Sequence, residues 1–445
     1  MTNVFFQKKA LKLLVSALSF FLISCSTSNQ LQRALEENVS RGEYLQAIET
    51  IKKNKSAYGE KNSVLYKLDL GLLFHFAGIP DSSNQYFFSV EKEIDDLYTQ
   101  SISQHALSFL LNDNVLPYEG EDFEKVLVNI FLALNFTEKG LNDEALVEAR
   151  KVDLKLREYS KQYEGKNKYQ EDAFIRYLAG ALYESSGEIN DAFISYRNSY
   201  EAYKNYLNEY GTPAPASLLD DIVRTATLMG FNDEADFYKT IGGKPYTPSA
   251  EGSILIIVYS GKGPVKTEIR PTVSIPDSAG IIHTFQVALP KFLSRHKLSR
   301  TYNVQAASLT DTISTTTHLA EDITAIAEKT LEDRLAYTYL KSGGRALMKF
   351  LASEKMKKGL NKDSDQKGRN FLGSIAIDLI VGATEQADIR TWQTLPAEIQ
   401  LVRLNLPPGK YNLTAESSDG GFRLRDEVVH VGSGKTSFII LDDIR

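Results

Sequence analysis

Gly140-Leu141-Asn142-Asp143-Glu144-Ala145 decides the fold of the first half of the chain. It is read beside Gly187-Glu188-Ile189-Asn190-Asp191-Ala192 and Gly230-Phe231-Asn232-Asp233-Glu234-Ala235. Each word is a glycine, then Asn-Asp, then alanine five residues after the glycine. Gly42 to Ala47 and Gly78 to Ser83 keep the same five-residue step. A glycine accepts the left-handed conformation that ends a helix. Asn or Asp is expected to cap the next helix, with acids in its first turn. The small residue then lets the two helices approach closely. The words therefore predict repeated helix–turn–helix units.

The flanks agree. Leu70, Gly71, Phe74 and Phe87 surround Gly78; Leu132, Phe136 and Val152 surround Gly140; Gly180, Tyr183 and Tyr196 surround Gly187. These offsets resemble the tetratricopeptide repeat. The outer units depart from it, with Asn38 or Ala226 in the aromatic slot and Lys239 replacing a late apolar residue. The small positions step by 36, 62, 47 and 43 residues, so the array is degenerate and carries insertions. Tyr196, Tyr200, Tyr203, Tyr206 and Tyr210 recur at helical spacing, as inter-repeat packing requires. The concave side of such an array is the usual place for a bound peptide.

Gly242-Gly243, Pro245 and Pro248 end the helical pattern. Residues 254–259 then read as a buried strand, and 265–275, 281–289, 302–309, 399–404, 411–416, 424–431 and 437–441 as further strands. Helices are predicted at about 319–358 and 371–387. The expected fold class is α+β multidomain. A tetratricopeptide-like solenoid over 30–243 is followed by a β-sandwich-like domain over 250–445, with a helical insertion at about 318–387.

Residues 1–24 read as a lipoprotein signal peptide. Lys8, Lys9 and Lys12 precede an apolar run over 13–23 and the word Leu22-Ile23-Ser24-Cys25. The run is too short to span a membrane, which takes ~20 apolar residues. Cys25, the only cysteine, is the expected lipidation site and 25–29 the tether. An ordinary signal cut near Ser24 and an uncleaved anchor helix are the alternatives. Ser26, rather than Asp, resembles the sorting signal for an outer-membrane location, facing the periplasm. With Cys25 acylated, no thiol remains for a disulfide or a zinc site. The six histidines are scattered without i, i+4 pairing. No metal and no cofactor are expected.

Residues 30–244 carry 23 basic against 35 acidic side chains, a net of −12, whereas 245–445 carry 25 against 22. An acidic helical half argues against nucleic acid as a partner.

Two stretches hold the candidate binding residues. Residues 112–123 read as a turn closed by Pro117 and Gly120, or as a loop presenting Tyr118 to a partner; the alternate oxygen spacing of a calcium loop is absent. Residues 383–396 hold Asp388, Arg390 and Trp392. Arg390 either pairs with Asp388 or Glu385 while Trp392 anchors the insertion to the sandwich, or the two grip a ligand or sugar face. Gly434-Lys435-Thr436 imitates a phosphate loop, but Val429 stands where a glycine is needed and a strand follows, so a β-hairpin turn is expected. The turn at Pro407-Pro408-Gly409 resembles a strand entry of transthyretin-like envelope modules, with Tyr411 packing the next strand. No catalytic residues are found.

The 112–123, 144–152, 169–196, 328–335 and 384–396 stretches together resemble an uncharacterised bacterial lipoprotein family. Its members have N-terminal tetratricopeptide-like repeats and a C-terminal β-rich domain. The resemblance implies architecture, and a place near lipoproteins that activate peptidoglycan synthases. The expected function is an envelope scaffold and not an enzyme. Its partners would be the membrane, through the lipid, and envelope proteins such as the peptidoglycan-synthesis machinery. The alternative is a glycan-binding lipoprotein using the β-domain.

Overall fold

The computed structural model describes residues 31–101, 114, 116–276, 282–295, 300–334, 386–423 and 427–445. Cys25 and the tether, the predicted helix after residue 334, and 371–385 of the next one lie outside them. The chain is mixed α/β, helical in its N-terminal region and built of sheets in its C-terminal region.

Ten of the helices among the described residues pair into five hairpins. They are α1 (31–40) with α2 (Tyr44–Lys53), and α3 (Ser63–Phe76) with α4 (Pro80–Ser101). Next come α5 (Asp122–Glu138) with α6 (Asn142–Gln162), and α7 (Ala173–Ser185) with α8 (Ile189–Tyr210). The fifth is α9 (Ala216–Leu228) with α10 (Asn232–Thr240).

Each hairpin turns at its predicted glycine, with φ of 67–83°. The expected Asn/Asp caps are not what closes the turns. Leu141, Glu188 and Phe231 occupy the N-cap positions with no side-chain bond. The preceding helix is closed instead: their N–H groups donate to Phe136, Tyr183 and Ala226 C=O, each at 2.9 Å. Asp143, Glu144, Asp233 and Glu234 still lie in first turns, where the helix dipole favours acids. Ala47, Ser83, Ala145, Ala192 and Ala235 are buried as expected. Close packing is fixed at Gly180, where a Cβ would stand 2.5 Å from the Tyr196 ring.

One four-stranded sheet has the order β12-β1-β9-β8, from β1 (Gly252–Lys262), β8 (His318–Asp322), β9 (Pro396–Leu406) and β12 (Thr436–Asp443). The second has the order β11-β10-β6-β7, from β6 (Tyr302–Ala307), β7 (Thr312–Thr316), β10 (Gly409–Ser417) and β11 (Glu427–Val431). Two ribbons complete the strands: β2 (Val265–Ile269) with β5 (Leu289–Leu293), and β3 (Thr272–Pro276) with β4 (Ile282–Gln286).

Side chains alternate across a strand, and β1 uses both faces. Ile254, Ile256 and Val258 pack on Val304, Leu413 and Val431 of the second sheet. Leu255, Ile257 and Tyr259 join the core of the helices. Ile399 and Leu401 of β9, with Phe438 and Ile440 of β12, join that helical core too. The result is three layers: helices, first sheet, second sheet. Burial on both faces explains why 254–259 is an unbroken apolar run. The expected separation at 244–249 therefore does not isolate two cores.

Several boundaries differ from the sequence reading. Arg270-Pro271 divide 265–275 into β2 and β3, and Val287-Ala288 divide the next run into β4 and β5. The helix expected from Leu319 begins at 323 as α11 (323–334), because 318–322 complete β8 and Asp322 Oδ1 accepts the Ala325 N–H at 2.9 Å. Gly434, with φ 62°, is not in a hairpin: β11 and β12 belong to different sheets. Tyr411 does pack its own turn, donating to Pro407 C=O at 2.9 Å.

Candidate functional site

The two candidate stretches, some 270 residues apart, meet each other. Their meeting point is Glu124, in the first turn of α5 and fully buried. Its carboxylate accepts four hydrogen bonds. Tyr118 Oη donates at 2.5 Å, Glu121 N–H at 3.0 Å, Thr391 Oγ1 at 3.0 Å and Trp392 N–H at 2.7 Å. Burial, with the Glu121 charge nearby, pushes the Glu124 carboxyl upward, against the pull of Lys266 and of these donors.

Arg390 lies over the Tyr118 ring, 5.2 Å from its centroid. It donates to Asp388 at 2.7 and 2.9 Å and to Leu116 C=O at 2.9 Å. The Trp392 indole donates to Thr394 Oγ1 at 3.0 Å, and Thr394 donates to Asp69 at 2.9 Å. Tyr58 Oη also donates to Asp69, at 2.8 Å, and burial raises that carboxyl to about 6. The indole stands edge-on to Phe87 and Phe131, at 5.8 and 5.7 Å.

Arg390 thus pairs with Asp388 as one reading required. Trp392 anchors its segment to the helices rather than to the sandwich. With Tyr118 at 3 % exposure and Trp392 fully buried, the loop does not present Tyr118 to a partner, and Trp392 offers no face with which it and Arg390 could grip a ligand or sugar. Apolar neighbours and backbone hydrogen bonds consume the surface that a ligand would need.

A second buried cluster fastens the sheet to the array, and sequence reasoning missed it. Arg403 on β9 donates to Tyr196 Oη at 2.8 Å and pairs with Glu184 at 2.9 Å and Asp221 at 3.4 Å. Arg224 pairs with the same two acids, each at 2.7 Å. Burial opposes ionisation of Glu184, but Arg403 and Arg224 outweigh it and hold the carboxyl at about 2. The legible signal was position: Arg403 follows Ile399 and Leu401 at period two, on the face that covers the helices.

A third contact is neutral. Tyr259 Oη donates to His75 Nε2 at 2.8 Å, and His75 Nδ1–H donates to Asn135 Oδ1 at 2.6 Å. Asn135 passes the chain on to Ser83 and Asn84 at 2.8 and 2.7 Å. Tyr44 to Asp442 and Tyr203 to Ala320 C=O (3.0 Å) tie further helices to the sheet. The helix face that meets the first sheet is therefore covered by the chain's own strands.

The outward face is different. Val147, Ile194 and Phe237 lie on α6, α8 and α10, seven residues after successive turn glycines, and are 48, 37 and 56 % exposed. Among the described residues, no helix is long and apolar enough to cross a membrane, and no group of three His, Cys, Asp or Glu side chains is placed to hold a metal ion. No family model matches the chain, and no curated protein matches it significantly.

Proposed function

We propose that the protein is a lipid-anchored scaffold of the bacterial envelope. On this reading Cys25 carries the lipid, the helical hairpins form a tetratricopeptide-like array, and the sheets form a sandwich-like platform that stiffens it. Protein partners bind the outward face of the second helices. The observation that carries this reading is the repeat of exposed apolar residues at one position in three successive hairpins, Val147, Ile194 and Phe237. Equivalent positions of stacked repeats line up, so a partner would meet a stripe rather than scattered side chains. The lipobox supplies the location.

Photo-crosslinkers placed at these three positions in cells are expected to capture the same envelope protein, while one at exposed Ile282 does not. Capture of nothing, or of unrelated proteins at each position, would sink the reading. A Cys25→Ala chain exported through an ordinary signal is expected to fold normally and to lose that capture at native expression. Undiminished capture would remove the anchor from the function.

A further inference from the structure

We propose that the outward face of the two β-ribbons rests on the anionic bilayer surface to which Cys25 ties the chain. The inference builds on the lipid-anchor reading above and adds the part of the protein that meets the lipid.

The reach of the anchor limits where that part can be. Residues 26–30 separate Cys25 from Leu31, where α1 begins. A chain spans at most ~3.3–3.6 Å per residue, so the start of α1 stays within roughly 20 Å of a lipid on Cys25. That start is fastened beside the end of the β2–β5 ribbon. Gln32 donates to Gln393 Oε1 at 3.0 Å. Arg295, two residues beyond β5, donates to Gln393 C=O at 2.5 Å and to Gly263 C=O at 2.6 Å, and pairs with Glu36 at 3.4 Å.

The ribbon has two unlike faces. Lys266 and Phe292 are cross-strand partners that turn inward: Lys266 pairs with Glu121, and Phe292 stands edge-on to Phe123 at 5.9 Å. The alternate pairs, Val265 with Leu293 and Thr267 with Lys291, form the outward face. Ile269 and Leu293 are 39 and 56 % exposed, and Ile282 on the second ribbon is 68 % exposed. Among the described residues, the exposed positions from 265 to 293 carry two bases, Arg270 and Lys291, and no acid. In the whole chain acids outnumber bases.

That composition suits an anionic bilayer. Apolar side chains enter the headgroup boundary, and a lysine or arginine beside them meets lipid phosphate. Three separated apolar residues would not draw a free protein to a membrane. A short tether changes this, because it holds the face at an effective concentration in the ~mM range. Docking then gives the molecule one orientation on the bilayer, whereas a tether alone leaves it free to swivel.

The test uses the lipidated mature chain in vesicles of phosphatidylethanolamine and phosphatidylglycerol doped with brominated lipid. Cys25 is the only cysteine and is blocked by acylation, so Thr267→Cys supplies a single thiol for a fluorophore in the middle of the face. Leu309→Cys is the reference, at a fully exposed position in the β6–β7 turn. β6 starts beside the end of β1, with Tyr302 Oη donating to Ser260 Oγ at 2.9 Å. Its turn therefore lies at the far end of the sandwich from the start of α1. Bromine is expected to quench the Thr267 probe at least about threefold more strongly than the Leu309 probe. Ile269→Glu combined with Leu293→Glu, both at exposed positions, is expected to bring the two probes level. Equal quenching in the parent chain would overturn the proposal, as would a difference that the double substitution leaves unmoved. Protection of the Thr267 probe that follows protein density instead of bromine would assign the face to a second copy and overturn it too. A mature chain whose mass shows no lipid on Cys25 would instead overturn the anchor reading, and this proposal with it.

Discussion

His75 shows what a single side chain contributes at the junction of helices and sheet. Burial pushes its imidazole down from 6.5 to about 4, against the hydrogen bond to Asn135. Between those values the unfolded chain takes up a proton that the folded chain refuses. Its contribution to stability is therefore complete above pH 6.5 and is lost as pH falls toward 4. In urea titrations, the stability gap between wild type and His75→Gln is expected to narrow by on the order of 3 kcal/mol from pH 7 to pH 4. A gap that stays constant would show that His75 is not the titrating group. Glu184 behaves differently: held at about 2, it supports folding above 4.5 and loses that support only in stronger acid. Removing its partner in Arg403→Met strands buried Glu184 and Asp221 with Arg224 alone, at a cost of roughly 3–5 kcal/mol, measurable by equilibrium unfolding. Few of these residues were legible beforehand. A histidine inside Leu72-Leu73-Phe74-His75-Phe76 reads as an interruption, because its partners Asn135 and Tyr259 come from distant segments. Tyr118 and Trp392 stood out in sequence for being unusual, and what made them unusual was their fit to each other's segments.

At the scale of elements, two glycines separate turn chemistry from packing. Around Gly140 there is open space, so Gly140→Ala costs only the strain of φ 71°, about 1–2 kcal/mol. Gly180 is helical, and alanine there gains roughly 1 kcal/mol of helix propensity. The added methyl nevertheless meets the Tyr196 ring at 2.5 Å. That ring cannot retreat, because its hydroxyl is held by Glu184 at 2.8 Å and by Arg403. Gly180→Ala is therefore expected to be net destabilising by about 1–3 kcal/mol despite the propensity gain; a raised thermal midpoint would contradict this. The hairpins were legible because the glycine words encode a local turn. Strands β1, β9, β10 and β12 were legible because their apolar residues alternate or run together. β7 was not, since Thr312–Thr316 holds one apolar residue, Ile313, in an exposed strand. β8 was read as helix because Leu319, Ile323, Ile326 and Leu331 suit a helical stripe. Its buried Glu321 and the capping role of Asp322 become intelligible only beside α8 and α11.

For the whole molecule, the shared core outweighs the linker. Prolines 245 and 248 and the change in charge suggest two separable domains, yet Phe131, Tyr259, Trp392 and Ile399 belong to one apolar cluster. Calorimetry is accordingly expected to show one unfolding transition for the sheets and helices together. A fragment of residues 30–243 is expected to aggregate or stay partly unfolded, since the face that carries Phe131, Tyr177 and Tyr196 would be bare. Two well-separated transitions, or a monomeric and cooperatively folding fragment, would restore the two-domain description. The sequence did carry one sign of this union: six consecutive apolar residues, Ile254 to Tyr259, make sense only in a strand covered on both faces. The pairing of that strand has a further consequence, for the order in which the chain is made. β1 lies parallel to β12, with Ser253 opposite Thr436, 183 residues later. Until residues 436–443 emerge, one edge of β1 is open, Tyr44 lacks Asp442 and Tyr302 lacks Asp443. An open edge beside so apolar a strand is a template for aggregation. A chain broken off before residue 436 would therefore be no weakened version of the protein but a substrate for proteolysis, so that closing β12 onto β1 doubles as a check that synthesis has run through that strand.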